Sequence, residues 1–116
     1  MKDYSIKFKA GDKEFSAIFN LNVMEEIQSE YGSMEKWAEL TDAKHGEVNA
    51  RALIFGLTAM INEAIDIEND EKGQNAPKFT QKQVGRIISQ AGLETSANAL
   101  NNAVIEATKD DRTKNA

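Results

Sequence analysis

The sequence predicts one mainly helical α+β domain: an N-terminal β-hairpin packed on a bundle of four or five helices. Three observations carry this expectation. Up to Phe19 the chain alternates apolar and polar side chains with a period of two, whereas from Asn22 to Lys109 apolar residues recur at helical spacing. A length of 116 residues supplies one core. Apolar residues at 41% and charged residues at 28% are the balance of a folded chain, not a disordered one. The expected division is a domain over residues 1–109 and a frayed polar tail over 110–116.

The hairpin comes first. Tyr4, Ile6 and Phe8 alternate with Ser5, Lys7 and Lys9, and Ala10 to Lys13 supplies a turn around Gly11. Phe15, Ala17 and Phe19 continue the alternation, while Ile18 faces the other way, toward a helix or a partner. An isolated two-stranded hairpin is marginal in water, so this one must lie on helices.

Asn22 followed by Glu25 reads as a helix start, with Val23, Met24, Ile27 and Tyr31 on one face and Gly32 as terminator. Ser33 caps a short second helix bearing Met34, Trp37, Ala38 and Leu40, and Asp42 to Gly46 is a polar connection. Tyr31 and Trp37 are expected in the layer between helices. From Glu47 to about Ile65, apolar residues from Val48 to Ala64 cover most of a helix circumference, which predicts a central, buried helix. Asp66 to Lys78 loses this pattern, gathers charge and holds the proline, so residues 66–78 read as a loop. Thr80 with Gln83 forms a capping box for a helix carrying Val84, Ile87, Ile88 and Ala91, closed by Gly92. Leu93, Ala97, Leu100, Val104 and Ala107 follow at alternating four- and three-residue steps. Two heptads are short for a coiled coil, so this stripe is expected to pack on its own domain.

Composition excludes several chemistries. A formal net charge of −5 argues against binding phosphate backbones. Without cysteine there is no disulfide, thiolate zinc site or thiol nucleophile. His45 sits in a predicted loop with no feature marking a catalytic partner. Asp66, Glu68 and Asp70 fit the first places of a calcium loop, but Glu71 stands where glycine is needed and Pro77 where a bidentate glutamate is needed. The glycines match no dinucleotide or phosphate-loop pattern. The expectation is no enzyme, no cofactor and no structural metal.

The segment from Thr80 through Leu93 also reads as a helix-turn-helix that would present Thr95, Ser96, Asn98, Asn101 and Asn102. Against this, four acids and one lysine lie between Leu93 and Asp111, the wrong sign for DNA. The longest apolar-rich stretch, Ala52–Ile61, falls short of the roughly 20 residues of a membrane span. Met1–Lys9 carries charges without an apolar run behind them, unlike an export signal. A soluble intracellular protein is expected.

In order and spacing, Ile6, Phe8, Gly11, Phe15 and Phe19, then Met24, Ile27, Tyr31 and Gly32, resemble the tail assembly chaperones of long-tailed bacteriophages and prophages. The later helices, the acidic segment and Phe79 to Lys109 are similar to the rest of that family, so the resemblance spans nearly the whole chain. It implies a protein of the bacterial host cytoplasm that holds the tape measure protein soluble, helps recruit tail tube subunits and is absent from the mature virion. Some members also have a longer frameshifted form. The resemblance supplies no binding residues. Methionines on predicted apolar helix faces (Met24, Met34, Met60) suit an adaptable surface. The stripe Leu93, Ala97, Leu100 and Val104 has the spacing of helix-in-groove anchors and is the candidate partner-binding surface, and a surface of that kind can also serve self-association. Two alternatives are a structural head–tail connector or minor tail protein, and a small helix-turn-helix DNA-binding regulator.

Overall fold

A computed structural model describes residues 4–114. Strands β1 (Tyr4–Ala10) and β2 (Lys13–Phe19) are followed by helices α1 (Leu21–Tyr31), α2 (Met34–Thr41), α3 (Ala50–Lys72), α4 (Gln81–Ala91) and α5 (Leu93–Lys114). A short 3-10 turn, Ala43–His45, follows α2. The fold is α+β and 69% helical, as the two periodicities predict.

The strands are antiparallel, with Tyr4 opposite Phe19, Ile6 opposite Ala17 and Phe8 opposite Phe15. This register puts the alternating apolar set on one face, against the helices. Gly11 and Asp12 make a two-residue turn in which Gly11 alone takes positive φ (62°), the pattern of a type II′ hairpin. Ile18 lies opposite Ser5 on the other face and is half-buried.

The core runs between the hairpin and α3. Phe8, Ala17 and Phe19 meet Val23 and Ile27 of α1, Trp37 of α2 and Leu53, Leu57, Met60 and Ile61 of α3, all buried. Val84 and Ile88 of α4 and Leu100 of α5 close it. Trp37 is wholly buried, and its indole Nε1 donates to the Ala52 carbonyl of α3 at 2.9 Å. Tyr31 packs edge-on against Phe55 with centroids 5.6 Å apart, so both aromatics occupy the predicted interhelical layer.

Four boundaries differ from the sequence reading. The cap of α1 is Asn20, not Asn22: β2 ends at Phe19, the chain turns at once, and Asn20 Oδ1 accepts from Val23 N at 3.2 Å. Asn22 is instead inside the first turn, and its Nδ2 donates to Glu63 Oε2 at 3.1 Å. Helix α3 starts at Ala50 behind the cap Asn49, three residues later than Glu47. At its other end it runs on to Lys72, so the first seven residues of the expected 66–78 loop are helical. Charge did not break it: Lys72 pairs with Glu68 one turn back at 3.0 Å, and a lysine suits the negative end of a helix. Gly73 stops it in the left-handed conformation (φ 63°, ψ 37°). The irregular connection is therefore residues 73–80. Finally, α5 extends to Lys114, so residues 110–114 of the expected tail are helical, and Asn115 and Ala116 lie outside the described residues.

The 73–80 connection is held by two asparagines on α3. Asn69 bonds both backbone groups of Ala76 at 3.0 Å each, and Asn62 bonds both those of Phe79, at 2.8 and 3.0 Å. Phe79 then packs edge-on against Phe15 of the hairpin, with centroids 5.6 Å apart. The Thr80–Gln83 capping box forms as expected and launches α4.

Candidate partner-binding surface

Helix α5 divides the predicted stripe. Ala97 and Leu100 are 0% and 1% exposed, in the core with Ala103 and Ala107. Their three- and four-residue steps make the seam by which α5 packs on β1, α3 and α4, the small alanines allowing close approach. Ala97 and Leu100 are thus not partner-facing, which corrects that part of the expected surface. Leu93 stays 41% exposed and Val104 half-buried.

Part of the apolar surface that does face outward, Leu21 and Ile105, was not among the expected residues. Among the described residues the exposed large hydrophobics are Leu21, Leu93 and Ile105, and Ile105 is 50% exposed. Ile105 and Val104 line a groove of about 430 Å³ between α5 and α2, with Ala38 of α2 among its walls. Its polar lining comprises three acids, Glu35, Glu39 and Asp42, with Lys44 and the amides Asn98, Asn101 and Asn102. Asn101 fixes the geometry, because its Nδ2 donates to the Thr41 carbonyl of α2 at 3.0 Å and to the Ala97 carbonyl at 2.9 Å. It is therefore already committed within the chain, unlike the free adenine reader of the helix-turn-helix reading. Ser96 of that set is likewise buried and bonded to the Gly92 carbonyl. The signal for Ile105 was a lone isoleucine among Asn101, Asn102 and Glu106, off the stripe.

A second concavity, also of about 430 Å³, lies between α1 and α3. Glu25, Glu26 and Glu30 of α1 and Glu63 and Asp66 of α3 line it, with Lys78 as the cation among the described residues. Glu63 accepts from Asn20 at 2.7 Å as well as from Asn22, and Glu25 accepts from Ser29 at 2.7 Å. Partial burial, then the charges of Glu63 and Glu25, hold the Glu26 carboxyl above its ordinary pKa, with Lys78 opposing. Burial and the neighbouring Glu30 likewise raise Tyr31.

No family model, curated protein or solved structure matches the chain. Among the described residues no group of three or more histidines, cysteines or carboxylates is arranged to hold a metal ion. The calcium-like run Asp66, Glu68 and Asp70 is inside α3, where a helical backbone cannot wrap a cation. His45 closes the 3-10 turn, and its side chain lies outside the described residues. Among the described residues no helix is long and apolar enough to cross a membrane.

Proposed function

We propose that this protein is a tail assembly chaperone that seats an amphipathic helix of a tape measure protein in the α2–α5 groove. The observation carrying this reading is the groove itself, which brings Val104 and the half-exposed Ile105 together with the carboxylates of Glu35, Glu39 and Asp42. An apolar helix stripe edged by lysine or arginine fits such a groove by shape and charge. The order of hairpin and helices supports the resemblance, and the negative net charge of −5 suits a protein that keeps another soluble. The reading makes the protein a resident of the host cytoplasm that also helps recruit tail tube subunits, binds no nucleic acid and leaves before the virion is complete.

The test is co-expression with a tape measure protein. The wild type should co-purify with that protein and raise its soluble fraction. Ile105→Asp should keep the helical circular dichroism of the wild type, because the side chain is half exposed, and should lose the partner. Leu100→Asp is no substitute, since a buried charge there would unfold the domain. If the folded wild type neither co-purifies nor solubilises, the reading fails. Mass spectrometry of purified virions separates this reading from a connector or minor tail protein, because a chaperone is missing from the particle.

A further inference from the structure

We propose that the furrow between α3 and α4 docks an acidic segment of a partner protein through an apolar anchor side chain. The inference is independent of the α2–α5 groove and of the chaperone reading. The furrow encloses about 340 Å³ and is lined by Arg51 and Ile54 of α3 and by Gln81, Lys82 and Gly85 of α4. Among the described residues no carboxylate lines it.

Charge selects the class of occupant. The chain is acidic, at −5, and α1, α2, α3 and α5 all carry carboxylates. Helix α4 carries none, and its charges, Lys82 and Arg86, are both positive. Arg51 and Lys82 are exposed, and neither side chain makes an ion pair or hydrogen bond among the described residues. One cation therefore stands on each wall with its charge unspent, complementary to carboxylates on either side of an anchor.

Gly85 shows that the floor is kept bare. A glycine inside a helix is destabilising relative to alanine, and it persists where packing or a close approach requires it. Gly56 has such a reason within the chain, since a methyl group there would overlap Trp37. Gly85 has none. Its φ is not positive, and a methyl group would meet only Ile54 Cδ1, at 3.5 Å, which is ordinary contact. Alanine would fit and would favour the helix, so the chain gives up stability exactly where the furrow opens. A side chain of a partner lying on Ile54 and the bare Gly85 backbone accounts for that loss. A nucleic acid is the poorer occupant, because its phosphates would use the two cations and leave Ile54 uncovered.

The test is a two-dimensional NMR titration of the whole chain with acetyl-Glu-Glu-Leu-Leu-Glu-Glu-amide at pH 7 and low salt. Saturable shifts at Arg51, Ile54, Lys82 and Gly85 are expected, weakened by added salt. Arg51→Gln and Lys82→Gln should each lower the affinity about twofold to fivefold. Lys36→Gln, which removes an exposed cation from α2, should leave it unchanged. Gly85→Ala should raise the melting temperature of the protein alone by about 3–6 °C and weaken binding about tenfold. A glycine with no docking role would give the first effect without the second. The proposal is overturned by the absence of saturable shifts, or by an affinity unchanged in Gly85→Ala. Equal binding of acetyl-Glu-Glu-Asn-Asn-Glu-Glu-amide or of a DNA oligonucleotide would also overturn it, since charge alone would then suffice. So would a dimer of the protein alone in sedimentation that Gly85→Ala dissociates, because the occupant would then be a second copy.

Discussion

Gly56 faces the six-membered ring of Trp37 so closely that a methyl group there would overlap it. The indole cannot easily retreat, since its Nε1 is bonded to Ala52 one turn earlier on α3. Gly56→Ala would ordinarily gain up to about 1 kcal/mol of helix propensity. Here overpacking, at roughly 1–3 kcal/mol, wins, and a net loss of about 1–2 kcal/mol is expected as a lower urea midpoint at unchanged slope. Glu26 gives the opposite sign. Its folded-state pKa is raised by burial and by Glu63, Glu25 and Asp66, with Lys78 opposing, so the folded state holds that proton more tightly than the unfolded one. Stability from this group is present at low pH and falls as pH rises from the ordinary carboxylate pKa through the raised one. Glu26→Gln should therefore raise the melting temperature at pH 7, and the gain should vanish below about pH 3, where the carboxylate is protonated in both states. Equal gains at both pH values would contradict this.

At the scale of elements, the connection after α3 depends on side chains more than on its own sequence. Asn62→Ala leaves the N–H and C=O of half-buried Phe79 without partners and should cost roughly 1–3 kcal/mol in urea denaturation. Asn69→Ala, at the more exposed Ala76, should cost under about 1 kcal/mol. The same contrast explains what was legible beforehand. Ser33, Thr80 with Gln83, Gly32 and Gly92 are where the sequence places them, because capping is chemistry among neighbours in the chain. The end of α3 was misread because charge density says little about helix stopping, whereas Gly73 and the reach of Asn69 to Ala76 do. The start of α1 was misread because two asparagines two residues apart can both cap, and the sharp exit from β2 selects Asn20.

For the whole molecule, the fold class followed from two periodicities, yet the outward surface did not. An apolar stripe at helical spacing is the same signal whether it meets its own core or a partner, so Ala97 and Leu100 could not be told from true anchors without the packing of α5 on β1 and α3. The two concavities are long-range products: Glu35 and Ile105 meet only through the α2–α5 pairing, and Glu26 and Glu63 only through α1 on α3. The exposed Leu21, Leu93 and Ile105 also provide internal reporters for what the surface does. Methyl NMR of the protein titrated with a purified helical segment of a tape measure protein, the proposed partner, tests the central claim directly. The account predicts shifts at Ile105 and Val104 that saturate with the segment, with Leu21 unmoved. Shifts at Leu21 alone, or an unchanged Ile105 at saturating segment, would contradict it.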